Sequence, residues 1–237
     1  MDRNRLISYS VHYKGEYHKI FKAIKDDEDI HETSFNECFT ILDGIYPKSF
    51  LELRYPPFVI YYKGNLELLK DRTIAIVGSR EPCEYAIRAT EALCRKNSDM
   101  VVVSGLAKGI DACAHQNASK TIGILGCGID YIYPMCNKNL IENVAKEGLL
   151  LSEYPALSKP LAYHFPFRNR LIACLGERVY VMQSSSRSGT MTTINEALEL
   201  GRDVKVLPYD VFDESGINNN HLILEGAQII ENEEIAI

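Results

Sequence analysis

The sequence predicts an α/β fold: a doubly wound, mostly parallel sheet with helices on both faces and a small N-terminal extension. Three observations predict it. From Thr73 onward short apolar runs alternate with stretches of helical period. The runs are almost continuously apolar, as strands buried on both faces are. Each is followed by small or polar residues, as expected of loops leaving the carboxyl ends of parallel strands.

The runs predict strands at 73–77, 100–103, 121–125, 149–151, 179–182 and 203–207. Between them, apolar residues spaced three and four apart mark helix faces. Tyr85, Ala89, Ala92 and Leu93 form one, Ile110, Ala114 and Ala118 a second, and Met191, Ile194, Ala197 and Leu198 a third. The sheet should run from about 70 to 232, preceded by a β-rich segment that closes on the turn Gly64-Asn65. Residues 1–55 lack strong periodicity and read as a small irregular segment, with Asp26-Asp27-Glu28-Asp29 as a solvated loop and short helical pieces between Phe35 and Leu53. The expected organisation is 1–55 as this attachment and 56–237 as the Rossmann-like domain.

Composition narrows the function. The 237 residues are 46% hydrophobic and 24% charged, with a formal charge of −6. A sequence-blind DNA coat is usually basic overall, so nucleic acid would have to be met by a local basic pocket. No apolar run approaches the roughly 20 residues that cross a bilayer. The N-terminus lacks the apolar block of a secretory signal. Seven cysteines, odd in number and without a CxxC pair, suit a reducing cytosol and no metal site. A cytoplasmic protein is the expectation.

The strand-end loops carry the chemistry. Gly78-Ser79-Arg80 follows the first strand, Ser104-Gly105-Leu106-Ala107-Lys108-Gly109 the second, Gly126-Cys127-Gly128 the third, Ser152-Glu153 the fourth and Ser184 to Gly189 the fifth. Ligands of open α/β sheets bind outside the carboxyl ends of strands. Glycines admit a close backbone approach, and helix N-termini favour anions. Arg80 and Lys108 add cations, and Ser188-Gly189-Thr190 adds hydroxyls and amides at the start of a helix. The predicted guest is phosphate.

Enzyme motifs are missing. GxGxxG does not follow the first strand, no acid closes the second, and GxxxxGK[ST] is absent. Phosphoribohydrolases with a similar fold use PGGxGTxxE. Here the segment reads Arg187-Ser188-Gly189-Thr190-Met191-Thr192-Thr193, with Thr193 where the catalytic glutamate would stand. No catalytic residue, cofactor or metal is expected. A nucleotide-binding sensor or hydrolase using the same pocket remains the alternative.

Ile76-Val77-Gly78-Ser79-Arg80, the segment from Ser104 to Asp111 with Ala114-His115, and Leu125 to Asp130 with Tyr133-Pro134 are ordered motifs. Ser152-Glu153-Tyr154-Pro155, Phe165-Pro166-Phe167-Arg168-Asn169-Arg170 and Ser188-Gly189-Thr190 complete the series. Together, from about Pro56 to Ile230, they resemble the DNA-processing A (DprA/Smf) family. The resemblance implies a Rossmann-like protein that binds single-stranded DNA, forms homodimers and helps load the RecA recombinase in natural transformation. Ala86 and Leu207-Pro208-Tyr209 depart from the family's glycines. The N-terminal piece looks too short for a full sterile-alpha-motif-like domain, and the winged helix that some relatives carry is not expected after Ile237.

The expected phosphate contacts are Gly78, Ser79, Arg80, Gly105, Lys108, Gly109, Lys138, Ser188, Gly189 and Thr190, with Phe165, Arg168 and Arg170. Arg80 suits bidentate phosphate contact, with a structural ion pair as the other reading. Lys138, where some relatives carry a pocket lysine, reads equally as a solvated lysine at a helix start. Arg168 and Arg170 diverge by about 200° on a helix, so one should bind phosphate and the other anchor the loop by an internal pair. Phe165 either stacks a base, worth roughly 1–3 kcal/mol, or belongs to the core. His115 reads as a packed or capping histidine, and Glu153 as a structural acceptor for a loop amide.

Overall fold

The computed structural model describes residues 1–34, 36–185 and 188–235. All six predicted strands form, as β3 (Thr73–Gly78), β4 (Val101–Ser104), β5 (Lys120–Ile124), β6 (Leu149–Ser152), β7 (Arg178–Gln183) and β8 (Asp203–Val206). Three further strands join them: β1 (Cys38–Thr40), β2 (Val59–Gly64) and β9 (Gln228–Ile229). The sheet order is β1-β2-β6-β5-β4-β3-β7-β8-β9. From β6 to β9 every neighbour is parallel, whereas β2 runs antiparallel to β6 and β1 antiparallel to β2. The chain builds outward from β3 to β6, then returns to β7 on the other side of β3. β3 and β7 therefore flank the topological switch point, where a crevice opens in such sheets.

Side-chain alternation along the strands feeds a core on each face. Ala75 and Val77 point to α6 (His164–Leu175) and α7 (Thr190–Glu199), meeting Leu171, Ile172, Ile194 and Ala197. Ile74 and Ile76 point the other way, to Ala86, Ala89 and Leu93 of α3 (Glu84–Lys96) and to Ile110 and Ala114 of α4 (Ile110–Asn117). The α3 face is rotated from the predicted one: Tyr85 is exposed and Ala86 buried. On α7, Leu198 likewise lies outside. Beyond β5, α5 (Lys138–Glu147) packs Ile141 and Val144 against Leu150. The chain closes on α8 (Ile217–Leu224) and α9 (Asn232–Ile235).

The N-terminal segment differs most from expectation. It forms a helical hairpin of α1 (Arg3–His12) and α2 (Tyr17–Asp26), and Asp26-Asp27 ends the second helix rather than lying in a loop. Five consecutive residues of α1, Leu6 to Ser10, are buried, so no apolar period shows. The serines are satisfied by tertiary partners: Ser10 Oγ accepts from Tyr61 Oη at 2.9 Å, and Ser8 Oγ donates to Glu32 O at 2.6 Å. Between Phe35 and Leu53 the structure has β1 and one 3-10 turn, Lys48–Glu52. The sheet thus begins at Cys38, ahead of the expected boundary at 56.

Candidate functional site

The loops leaving β3 and β7 meet at the switch point and open a cavity of about 580 Å³. Gly78, Ser79 and Arg80 line one side, Ser188, Gly189 and Thr190 the other, and Phe165 and Arg168 approach from α6. A second hollow of about 620 Å³, between α1 and residues 31–34 and 36–38, contains none of the strand-end loops.

The β3 loop is shaped by Ser79, whose Oγ accepts from Glu81 N at 3.1 Å while its carbonyl accepts from Ile110 N at 3.0 Å. Arg80 projects from this turn exposed, and makes no ion pair among the described residues. Gly109, at φ +76°, lies against the same turn: a Cβ there would sit 2.2 Å from Ser79 O. Only glycine adopts such a backbone at this approach. Gly109 is therefore a joint between two loops, and the exposed Lys108 before it does not line the cavity wall.

On the opposite side, Thr190 Oγ1 donates to Gly78 O at 3.3 Å and Asn169 Nδ2 to Gly189 O at 3.1 Å, tying the start of α7 to β3 and α6. The amides of Met191 and Thr192 already turn back onto Ser188 O and Gly189 O at 3.2 Å. The helix end therefore has two of its first amides already engaged. Ser188 Oγ is buried without a partner among the described residues. Among the described residues, a Cβ on Gly189 would meet nothing within 4 Å. Arg187 lies outside the described residues.

The two arginines of α6 separate as their spacing requires. Arg168, buried, reaches the cavity floor and donates from Nη1 to Gly105 O at 2.9 Å and to Ile124 O, tying together the ends of β4 and β5. Burial pulls its pKa down, against the neighbouring Asp111 carboxylate. Burial pushes the Asp111 carboxyl up, and Arg168 and the Ala107 amide counter it. A Cβ on Gly105 would lie 2.6 Å from Arg168 Nη2 and 2.7 Å from Asp111 Oδ2. Gly105 thus makes room for these two side chains and does not line the cavity.

Arg170 turns away and does not line the cavity, which makes it the one of the two arginines that anchors the loop. It is the internal anchor: Nη1 and Nη2 each donate to Glu153 at 2.6 Å, Nε donates to Tyr55 O at 3.1 Å, and the guanidinium lies 3.7 Å from the Phe167 ring centre. Glu153 accepts this fork in place of the loop amide expected for it. Lys138 also lies off the cavity wall, exposed at the start of α5, with Glu142 of the next turn 3.8 Å away. His115 is the packed histidine expected, its Nδ1 2.5 Å from Thr121 Oγ1 and its pKa pushed down by burial to about 3.

Phe165 is half-buried over Gly126, where a Cβ would lie 2.7 Å from the ring. Its ring centre is 5.4 Å from that of Tyr133, which is exposed and also lines the cavity. Tyr133 and Asn169 are among the lining residues that sequence reasoning left without a role. Both stand inside quoted motifs, but only the fold brings them to one crevice. Among the described residues no group of three or more metal-binding side chains occurs, and no helix is long and apolar enough to cross a membrane.

The cavity residues fall within a wider match. The family model described as "DNA recombination-mediator protein A" matches residues 37–237. DNA processing protein DprA of Streptococcus pneumoniae is 42% identical over 197 residues, covering 81% of this chain and 70% of the relative. The Bacillus subtilis protein of the same name is 41% identical, covering 78% and 65%. Protein Smf of Synechocystis is 40% identical, covering 86% of this chain and 54% of the relative. The chain therefore spans between about half and 70% of these relatives' lengths. The X-ray structure of the S. pneumoniae protein superposes with a TM-score of 0.82 at 38% identity, over 92% of this chain and 79% of that one. DNA processing protein A from Helicobacter pylori, described by its single-stranded DNA binding mode, gives 0.76 at 35% identity, over 85% and 94%. By this match, the chain belongs to the DprA/Smf family.

Proposed function

We propose that the chain binds single-stranded DNA in the switch-point cavity as a non-catalytic recombination mediator. In this reading it acts as a homodimer that passes the strand to a RecA recombinase. The observation that carries the DNA reading is the pairing, across one cavity, of the exposed Arg80 guanidinium with the Tyr133–Phe165 aromatic pair. A cation beside stacking faces suits a strand whose bases are free, because base–aromatic stacking is tolerant of sequence. A duplex hides its bases and bends only at a cost. The H. pylori relative's binding mode supports the same ligand.

The acids support binding without turnover. Glu153 is held by Arg170, and Asp130 by Lys63 and Asn36, at 2.6–2.7 Å. Two acids line the cavity: Glu81, exposed, and Asp111, which is buried and accepts from Ala107 N at 3.3 Å. Activating water for phosphate-ester cleavage calls for a positioned base or metal ligands.

Fluorescence anisotropy with a labelled oligonucleotide tests the reading. Single-stranded DNA should bind clearly more tightly than duplex, with little sequence preference, and excess mononucleotide should not displace it. Equal affinity for both forms would sink the proposal. Displacement by mononucleotide at comparable concentration would instead favour a nucleotide sensor. Oligonucleotide incubated with magnesium or manganese should be recovered uncut, and product in proportion to protein would make the chain an enzyme.

A further inference from the structure

We propose that the outer face of α2 is a second single-stranded DNA contact, which receives the strand as it leaves the cavity; this rests on the DNA reading of the cavity. α2 reads Tyr-His-Lys-Ile-Phe-Lys-Ala-Ile-Lys-Asp, and buries Ile20 and Ala23. At about 100° per residue, His18, Phe21, Lys22 and Lys25 fall on the opposite face, with Lys19 at its border. All five are exposed, and so is Lys14 in the turn before the helix. None of the four lysines makes an ion pair among the described residues.

The nearby acids have other partners. Asp27 pairs with Arg5 at 2.7 Å and Asp29 with His31 at 2.9 Å, while Glu28 accepts from Tyr13 Oη. Glu16 accepts from Tyr163 Oη at 2.6 Å and lies 3.2 Å from His164 Nε2. Asp26 is the helix's single carboxylate, at its last residue. In a chain of net charge −6 this face collects cations. Its complement is a polyanion.

Aromatic rings link this face to the outer side of the helix whose other side lines the cavity. Phe21, 53% exposed, stacks on Tyr17 at 6.4 Å between centres and 11° between planes. Tyr17 in turn lies 6.1 Å from Phe167, on the first turns of the same helix that carries Phe165 and Arg168 to the cavity. Tyr163, the residue before that helix, is exposed and hydrogen-bonded to Glu16, directly ahead of α2. Lysines interleaved with stackable rings are the composition that tracks a single strand without reading its sequence. A duplex offers its phosphates but no base faces for Phe21.

The test compares oligothymidines of about 6 and about 25 nucleotides, the shorter near the smallest single-strand site sizes and the longer beyond one site. The variant carries Lys19→Gln, Lys22→Gln and Lys25→Gln. The short strand should bind it as it binds wild type. The long strand should bind about tenfold more weakly, with a log–log salt slope smaller by about 2, for three contacts at ~0.7 each. Arginine at the same three positions should restore both values, and Phe21→Ala should weaken the long strand alone. Unchanged long-strand affinity and slope would overturn the α2 contact while leaving the cavity reading intact. Failure of wild type to bind the short strand would overturn the cavity reading and this continuation with it. Equal protection of the three lysines from acetylation by polyglutamate and by DNA would assign the face to acidic proteins and overturn the proposal.

Discussion

Arg170 and Glu153 meet fork to fork in the interior, with two bonds of 2.6 Å and side chains 2% and 5% exposed. Breaking a buried pair from one side strands the other charge, which typically costs 3–5 kcal/mol. Arg170→Met and Glu153→Gln should each destabilise the fold by about that much, and the double variant by less than their sum. Urea denaturation measures this, and a loss near zero for either single variant would contradict the pairing.

Arg80 contrasts with Arg170 in every respect that matters: it is exposed, in a loop, and in no ion pair among the described residues. Arg80→Ala should leave the thermal midpoint unchanged and weaken single-stranded DNA. The log–log salt slope should fall by about 0.7, the value for one phosphate contact on a single strand. An unaltered slope would remove Arg80 from the interface.

Two glycines beside the cavity predict opposite outcomes. A Cβ on Gly109 would press on Ser79 O at 2.2 Å from a backbone at φ +76°, whereas one on Gly189 meets nothing within 4 Å among the described residues. Gly109→Ala should cost about 1–3 kcal/mol, the range for such backbone strain, and displace the Arg80 loop. Gly189→Ala should be close to neutral for folding. Equal midpoints for the two variants in thermal denaturation would refute the assignment.

Burial lowers the His115 pKa to about 3 in the folded chain. The unfolded histidine titrates near its ordinary value of about 6.5. Between these values the unfolded chain binds the extra proton, so stability is lost as pH falls, by up to about 1.4 kcal/mol per pH unit from this group. Above about pH 6.5 the group adds no pH dependence. Denaturation midpoints between pH 7 and pH 5 should fall more steeply for wild type than for His115→Gln. Parallel curves would show that this residue is not the source.

β3 to β7 were legible because they are buried on both faces and so mostly apolar, whereas β8 alternates, burying Val204 and Val206 and leaving Asp203 exposed. The cavity was legible in outline for a related reason: a parallel sheet sends all its carboxyl-end loops to one edge. What the spacing could not assign was direction. Arg168 and Arg170 could be separated by helical angle, but which one faced the crevice depended on Glu153, which stands 17 residues before Arg170. Gly105 and Gly109 sit in the right loop yet support it from behind, and the exposed Lys108 lies off the cavity wall. α1 was hidden because its buried face holds Ser8 and Ser10, whose partners Glu32 and Tyr61 are distant in sequence.

The cavity has walls from two half-sheets that the chain builds at different times. Gly78 and Arg80 leave β3, the first parallel strand, whereas Ser188 to Thr190 follow β7, after three other parallel strands have been laid down. Neither wall is a self-contained binding motif. Occupancy is therefore linked to integrity of the whole sheet rather than to the order of one loop. A ligand that binds only the closed sheet, at 100 times its Kd, adds about 2.7 kcal/mol to the folded state. A chain cut between β6 and β7 should accordingly regain its ligand only when both pieces reassociate, which makes ligand capture a reporter of fragment complementation.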